Sequence, residues 1–253
     1  MSTRVGAIAE LWRYPVKSML GERLERTTVG RLGLKGDRAF AVRDQASGRI
    51  ISAKRLPALF GCSACLYRLT ALPLPDASEL ETADPDLPAR LSEVLGRAVT
   101  VVPQGSIEEP RIETGDADTE EGDSDEFDGM PGTFFDAAPV HLLTTSSLRA
   151  ASALDPESIY DVRRFRPNVL LEAEGDGFVE QDWLGRTISI GEVTLEVSRP
   201  CGRCVMTTHA QSELPKERAV LATVARELDN NLGLLCNVAS GGELALGEEA
   251  FLH

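Results

Sequence analysis

Two cysteines, Cys201 and Cys204, form a Cys-x-x-Cys motif, and Arg203 stands directly before the second one. The alternating residues 188–197 predict two strands joined by a tight glycine turn, and the β-prone residues after Cys204 predict a further strand. Paired thiols between strands suit either a soft metal or thiol–disulfide chemistry. The residues alone leave three interpretations open: buried free cysteines, a thioredoxin-like redox pair, or a thiolate ligand to a metal or metal cofactor.

The redox interpretation requires a helix that begins at the first thiol and lowers its pKa, whereas the four residues after Cys204 favour a strand. A structural zinc site made of Cys62, Cys65, Cys201 and Cys204 is a further alternative. Roughly 130 residues separate the two pairs, against about 15–20 in the usual zinc spacing. The spacing therefore disfavours zinc, and we expect Cys62 and Cys65 to pack inside the first half of the chain.

Basic residues collect at the start of an otherwise acidic chain. The 253 residues carry a net charge of −14, which disfavours nucleic-acid binding. Residues 1–68 contain thirteen Lys and Arg against five Asp and Glu, whereas the remainder contains thirteen against thirty-five. This distribution predicts either a positive pocket for a small anion or a surface with no focus of charge.

Two short segments carry side chains that suit an anion. Lys17 and Ser18 follow Pro15, which ends a predicted strand, so an ammonium and a hydroxyl share a turn. Arg166 is the last of three arginines that precede Asn168 at the start of another predicted strand. Guanidinium groups beside an amide make a natural fork for an anion, and the alternative for both segments is ordinary surface charge.

Short β-prone segments separated by glycine turns fill the first hundred residues, which is typical of a small barrel or sandwich. Residues 108–128 contain eleven Asp and Glu and one Arg, so we expect a solvated loop or linker. One clear helix is predicted, over residues 215–229. The predicted fold class is mainly β with a few helices (α+β): an N-terminal β-barrel-like domain at 1–104, a loop or linker at 105–130 and a second β-barrel domain at 131–253.

No apolar run approaches the roughly 18 residues of a membrane span, and the first residues lack the pattern of a signal peptide. Five cysteines, an odd number, do not make a complete disulfide framework. We therefore expect a cytoplasmic protein with reduced thiols that binds neither nucleic acid nor membrane.

Four motifs that occur in one order along nearly the whole chain resemble the MOSC family, named for the C-terminal domain of molybdenum-cofactor sulfurase. The motifs are Tyr14-Pro15-Val16-Lys17-Ser18, Gly36-Asp37-Arg38, Phe165-Arg166-Pro167-Asn168 and Arg199-Pro200-Cys201-Gly202-Arg203-Cys204. The chain is most similar to the subgroup with an N-terminal MOSC β-barrel, which includes the mitochondrial amidoxime-reducing component. The resemblance thus implies a MOSC N-terminal barrel domain followed by a MOSC barrel domain.

The resemblance implies a pyranopterin molybdenum cofactor bound between the two halves. Cys204 would be the catalytic thiolate ligand to molybdenum, with Asp136 close to the metal as a second catalytic residue. We expect Arg203 to favour the deprotonated form of Cys204. The cofactor-binding residues implied by the resemblance are Lys17, Ser18, Arg38, Arg166, Asn168, Arg203 and Cys204.

The activity implied by the resemblance is reduction of small N-hydroxylated or N-oxygenated molecules by oxygen-atom transfer at the molybdenum. A separate electron-donor protein, of the ferredoxin or cytochrome type, is the expected partner. Ala138 stands where relatives often carry a hydroxyl, so we expect one hydrogen bond to the cofactor to be missing. The alternative functions are a non-redox sulfur carrier with a persulfide on Cys204 and a cofactor-binding protein without turnover. The three histidines show no ligand spacing and receive no role.

Overall fold

The computed structural model describes residues 2–66, 68–71, 79–115 and 126–253. Its strands are β1 (Thr3–Arg13), β2 (Glu22–Leu24), β3 (Arg26–Gly30), β4 (Gly33–Leu34), β5 (Phe40–Asp44), β6 (Cys62–Cys65), β7 (Arg68–Ala71), β8 (Glu79–Glu81), β9 (Val99–Pro103), β10 (Arg111–Glu113), β11 (Glu126–Asp128), β12 (Val140–Thr144), β13 (Val169–Ala173), β14 (Thr187–Ile190), β15 (Val193–Gly202), β16 (Asn231–Ser240), β17 (Gly242–Ala245) and β18 (Glu249–Leu252). The helices are α1 (Leu87–Leu95), α2 (Thr145–Leu154), α3 (Val162–Phe165) and α4 (Arg218–Glu227), and short 3₁₀ segments occupy Pro57–Gly61, Val179–Trp183 and Val205–Thr208. The predicted mainly β fold class is confirmed.

Seven strands close into a barrel in the order β13-β12-β16-β15-β14-β18-β1, and β1 also pairs with β13. Closure leaves no free edge among these strands. The first strand of the chain is therefore built into a barrel whose other six strands come from the second half. Gly6 lies where β1 runs between β13 and β18, at a φ of 150°, and an added Cβ there would lie 2.4 Å from the Glu172 carbonyl oxygen. Only glycine allows that close approach.

The barrel interior is filled by the inward-facing residues of its strands. Burial alternates residue by residue along β14 and the first half of β15, and this period of two confirms the predicted hairpin over residues 188–197. The main core includes Ile8, Leu142, Leu171, Leu195 and Cys236. Burial of these side chains holds the strand ends, and hence the residues that follow them, in fixed positions.

The rest of the N-terminal half consists of small antiparallel sheets around a second core. The strands pair as β3 with β4 and β17, as β5 with β9, and as β7 with β6 and β8. The second core joins Met19, Phe60, Cys62 and Leu91, so Cys62 packs inside this half as predicted. Met19 thus attaches the turn that follows β1 to the second core.

Local hydrogen bonds determine the start of α2 and the conformation of the residues after Cys204. Thr144 caps α2 by accepting a hydrogen bond from the Ser147 amide at 3.1 Å. The strand predicted after Cys204 is instead a 3₁₀ turn. The hydroxyls of Thr207 and Thr208 donate to carbonyl groups three residues earlier, at 3.0 and 2.8 Å, and this bonding favours a turn over an extended chain.

Helix α4 begins at Arg218 rather than at Pro215, because Glu217 is still extended, at a φ of −146°. The acidic segment, predicted to be a loop, carries paired strands at both ends, β10 and β11, and residues 116–125 between them lie outside the described part. The domain division at 104 and 131 stays a prediction. Within the described residues, no helix is long and apolar enough to span a membrane.

Candidate functional site

A cavity of about 400 Å³ lies where the turn after β1, the turn before β5, the start of β13 and the end of β15 meet. Every site residue predicted from the sequence lines it: Lys17, Ser18, Arg38, Asp136, Arg166, Asn168, Arg203 and Cys204. The structure thus brings these residues together. Their functional roles stay predictions.

Three of the lining residues have left-handed backbone conformations that side chains other than glycine rarely adopt. The φ angles are 67° at Ser18, 48° at Arg38 and 56° at Arg166. Such conformations cost free energy and persist where the surrounding structure fixes them, often at functional sites. Here the left-handed conformations place one hydroxyl-bearing and two guanidinium-bearing residues in the wall of the same cavity.

An ion pair between the buried Lys17 and the half-exposed Asp136 occupies one end of the cavity. The ammonium of Lys17 donates to the Phe134 carbonyl at 3.0 Å and to the carboxylate of Asp136. Lys54 lies 3.8 Å from the other oxygen of that carboxylate. Burial alone would raise the pKa of Asp136, but Lys17, followed by Lys54, outweighs burial and holds the pKa at about 2. Asp136 is therefore a carboxylate at neutral pH.

Arg166 is a buried cation held by a carbonyl group and aromatic rings. Its Nη1 donates to the Met19 carbonyl at 2.7 Å, and the guanidinium lies 4.1 Å from the centroid of the Tyr14 ring and 5.6 Å from that of Phe60. Burial, followed by the nearby charge of Arg38, lowers the pKa of Arg166 to about 10. Arg166 is still charged at neutral pH.

Asn168 joins three strands at the cavity wall. Its Oδ1 accepts from the His141 amide at 3.1 Å, and its Nδ2 donates to the Trp12 carbonyl at 3.3 Å. These bonds tie β12 and β13 to β1. Asn168 therefore fixes the part of the cavity wall that contains Arg166.

The two thiols of the cavity differ in burial and in partners. Cys201 is buried and lies 2.9 Å from Nη1 of Arg203, whereas Cys204 is half-buried. The Arg203 guanidinium thus contacts Cys201, and its expected effect on Cys204 stays a prediction. In extended chain, residues two apart share a side, so Arg203 reaches Cys201. Burial raises the pKa of Cys201, and Arg203 offsets part of that rise.

The cavity contains an excess of positive charge. Its charged lining residues are the cations Lys17, Arg38, Arg164, Arg166, Arg199 and Arg203 and the single acid Asp136. Three of these cations have carboxylate partners, in the pairs Lys17–Asp136, Arg38–Asp37 and Arg164–Glu217. In the described part of the chain, Arg166, Arg199 and Arg203 have none. Three unneutralised guanidinium groups around one cavity are suited to a multiply charged anion.

Arg164 and His141 also line the cavity but are not among the predicted site residues, although Arg164 is one of the three arginines that precede Asn168. His141 is a buried residue of the cavity wall whose Nδ1 lies 3.3 Å from the Arg166 carbonyl oxygen. Burial, followed by the charge of Arg203, lowers the pKa of His141 to about 3, so the imidazole is neutral at physiological pH. The position of His141 between the apolar residues Val140 and Leu142 is the sequence feature that could have predicted its burial.

The zinc alternative is wrong for the described residues, where no group of three or more His, Cys, Asp and Glu side chains is placed to hold a metal ion. Cys62 belongs to the core of the N-terminal half, and burial raises its pKa to about 11. The thioredoxin-like alternative also lacks its helix, because the turn begins after Cys204 rather than at Cys201.

Comparisons with known proteins cover most of the chain. A family model described as MOSC domain matches residues 130–250, and one described as MOSC N-terminal beta barrel domain matches residues 5–95. A search of curated proteins found no match. The solved YuaD protein from Bacillus subtilis covers 100% of this chain and 97% of its own, with a TM-score of 0.53 and 12% identity. YiiM from Escherichia coli covers 46% of this chain and 55% of its own, with a TM-score of 0.36 and 16% identity. At this identity, the similarity to YuaD is a similarity of fold.

Proposed function

We propose that this chain, which belongs to the MOSC family and carries the family's N-terminal β-barrel domain, binds a pyranopterin molybdenum cofactor in the cavity that Cys204 lines. The observation that carries the proposal is the combination of three guanidinium groups without carboxylate partners and a half-buried thiol in one cavity. Phosphate is the kind of anion that such guanidinium groups bind, and thiolate is a ligand type that suits a soft metal.

The residues present fit such a group in size and in donor chemistry. A volume of about 400 Å³ falls in the range of roughly 300–1,000 Å³ that small-molecule pockets have. Arg203 has a buried Nε without a hydrogen-bond partner in the described part of the chain, so part of its donor capacity is unused. We assign Arg166 and Arg203 to the phosphate and Cys204 to the metal.

The proposed activity is reduction of a small N-hydroxylated molecule, such as an amidoxime or hydroxylamine, to the corresponding amidine or amine. The N–O bond breaks, two electrons and two protons are consumed, and water leaves. When bound, the cofactor supplies the two-electron redox chemistry. The electrons come from a separate donor protein, of the ferredoxin or cytochrome type, in this proposal.

The side chains of the cavity have distinct parts in this proposal. Because Asp136 is ionised at neutral pH, it accepts hydrogen bonds from a substrate N–H or O–H group and does not serve as the proton donor. Lys17 holds that carboxylate in place through their ion pair. Cys204 is the residue on which metal binding depends.

A second candidate function is a sulfur carrier with a persulfide on Cys204. Cys204 is half-buried and its Sγ has no hydrogen bond within the described chain, which leaves the thiol accessible to a sulfur donor. A persulfide needs the same thiol but no metal, so metal content separates the two candidates.

The experiment compares protein purified from a host that makes the molybdenum cofactor, as wild type, Cys204→Ser and Cys65→Ser. Cys65 is a matched control because it is also half-buried but lies in β6 of the N-terminal half. We expect about one molybdenum per chain in wild type and Cys65→Ser, and almost none in Cys204→Ser, because a hydroxyl is a poor ligand for a soft metal. Wild type without molybdenum but with a persulfide on Cys204 would favour the sulfur carrier.

A further inference from the structure

Arg164 lines the cavity, but its guanidinium is committed to the protein. The side chain is fully buried. Arginine has five N–H donors, and each has an acceptor here. The acceptors are the Ile159 carbonyl at 2.9 Å for Nε, the Thr207 and His209 carbonyls at 3.3 Å each for Nη1, and the Pro215 carbonyl at 2.8 Å and Glu217 Oε2 at 3.2 Å for Nη2. No donor is left for a ligand.

Four of these five acceptors belong to the segment that follows Cys204. That segment has little regular structure, consisting of the turn Val205–Thr208 and a stretch that reaches α4 at Arg218. Burial lowers the pKa of Arg164, and Glu217 compensates part of that cost. Arg164 thus spends four of its five donors on one irregular segment and ties that segment to α3.

A chain of short contacts connects Arg164 to Cys204. Arg164 donates to the carbonyl of Thr207, and the amide and hydroxyl of Thr207 both donate to the carbonyl of Cys204, at 3.0 Å each. Nη2 of Arg203 donates to the carbonyl of Phe165, which is also in α3, at 2.7 Å. The residues on both sides of the Cys204 thiol are thus held by α3.

We propose that Arg164 is a positioning residue that fixes the turn Val205–Thr208 and thereby aims the thiol of Cys204 into the cavity. The inference rests on the proposed function only in the use it gives to Cys204. Three neighbouring arginines then have three different roles. Arg163 makes ion pairs with Asp161 and Glu213, Arg164 positions the thiol, and Arg166 remains available to an anion.

Only an arginine satisfies this arrangement. The five acceptors lie around a planar fork, and lysine brings three donors on a single atom, so at least two acceptors lose their partners. Loss of the fork frees the turn and allows Cys204 to sample other positions, because loops with few remaining bonds open locally.

The test measures the reactivity of the Cys204 thiol in metal-free protein with a disulfide reagent, with mass mapping to assign each modified cysteine. The variants are Arg164→Ala, Arg164→Lys and the control Arg163→Gln. We expect Arg164→Ala to change the Cys204 rate by about tenfold or more, as loss of several hydrogen bonds to one segment predicts. Arg163→Gln should stay within about twofold, because Arg163 is only half-buried and solvent screens its ion pairs with Asp161 and Glu213.

A rescue experiment separates positioning from general destabilisation. Guanidinium at low millimolar concentration fills the space left in Arg164→Ala and should return the Cys204 rate toward the wild-type value, with no effect on Arg163→Gln. If Arg164→Ala does not fold, Arg164→Lys gives the answer, with an expected rate between wild type and the tenfold change. A folded Arg164 variant with a wild-type Cys204 rate, or a changed rate that guanidinium does not restore, would overturn the proposal.

Failure of this inference and failure of the proposed function have different signatures. Metal-free protein is used throughout, so the rate change does not depend on molybdenum. A shifted Cys204 rate in Arg164→Ala together with no molybdenum in wild type would leave the positioning role in place and remove the cofactor.

Discussion

Two cavities of nearly equal size, about 400 and about 410 Å³, share Pro200 as a wall residue and have opposite charge. The first is lined by six cations and one acid. The second is lined by three carboxylates, those of Glu180, Glu227 and Asp229, and by no cation. Size therefore does not distinguish a binding site in this protein. The difference lies in how each cavity uses its buried charge.

In the second cavity the buried charge serves the fold. Glu180 is 2% exposed, and its Oε2 accepts from the hydroxyl of Thr144 at 2.8 Å and from that of Ser147 at 2.5 Å. Thr144 in turn caps α2, so the carboxylate belongs to the network that starts this helix. In the first cavity, Arg166 and Arg203 have no such carboxylate partner among the described residues. Charged side chains without a partner of opposite charge, rather than cavity volume, therefore indicate which cavity binds a ligand.

The largest expected effect follows from removing an unpaired cation from the first cavity. Arg166→Gln and Arg203→Gln should each lower retention of pterin phosphate by about 10–100-fold, since a hydrogen bond to a charged group contributes about 1.5–3 kcal/mol. The measurement is pterin and phosphate content after dialysis of protein from a cofactor-producing host. Glu180→Gln, in the second cavity, is the control and should retain the wild-type content. Equal loss in the control would erase the contrast between the cavities.

A smaller effect is expected on the stability of the Glu180→Gln variant. Burial raises the pKa of Glu180, so its contribution to stability is complete below the unfolded-state pKa and falls as pH rises through the folded-state pKa. The free energy of unfolding of Glu180→Gln relative to wild type should therefore increase by about 1 kcal/mol between pH 4 and pH 8. Urea unfolding at both pH values checks this. A relative stability that falls with rising pH would contradict the role given to the carboxylate.

Asp136, in the first cavity, should show the opposite dependence on pH. Its pKa is lowered to about 2, so its contribution to stability is present above the unfolded-state value near 4 and is lost as pH falls toward 2. We expect Asp136→Asn to be less stable than wild type by about 1 kcal/mol at neutral pH, because half of the side chain is exposed and solvent screens the ion pair. The difference should disappear near pH 2 in acid-unfolding curves. A constant difference would show that packing, not charge, is responsible.

The smallest effect is expected at the rim of the first cavity. Arg199 is exposed and donates to the Ala137 carbonyl at 3.0 Å. Arg199→Gln should change pterin-phosphate retention less than threefold at physiological salt, because exposed charges are screened, and more at low salt. Retention after dialysis at two ionic strengths measures this. A loss as large as that of Arg166→Gln would mean that the anion lies at the rim.

Local pattern predicted the parts of the fold that depend on neighbours in sequence. The alternation over residues 188–197 indicated the hairpin, and the pattern over residues 215–229 indicated a helix where α4 lies. The turn after Cys204 was not predicted, because its β-branched residues favour a strand, whereas the threonine hydroxyls bond back within the turn and Arg164 of a distant helix donates to the Thr207 carbonyl. The place of β1 in the barrel of the second half was hidden as well, since strand pairing across the chain leaves no local periodicity.

The site was predictable as a set of residues but not as a set of interactions. Motif order brought Lys17, Arg38, Arg166 and Cys204 together, and all of them line one cavity. Which cations have carboxylate partners, and that Arg203 contacts Cys201, depend on side-chain directions that a linear motif does not contain. Those interactions are the ones that distinguish the first cavity from the second.

The most direct test of the account is X-ray diffraction from crystals of protein made in a cofactor-producing host, with data collected at the molybdenum absorption edge. We expect one anomalous peak in the first cavity, bonded to Sγ of Cys204, with phosphate density beside Arg166 and Arg203. A peak in the second cavity, a peak bonded to another residue, or no peak in crystals of molybdenum-containing protein would contradict it.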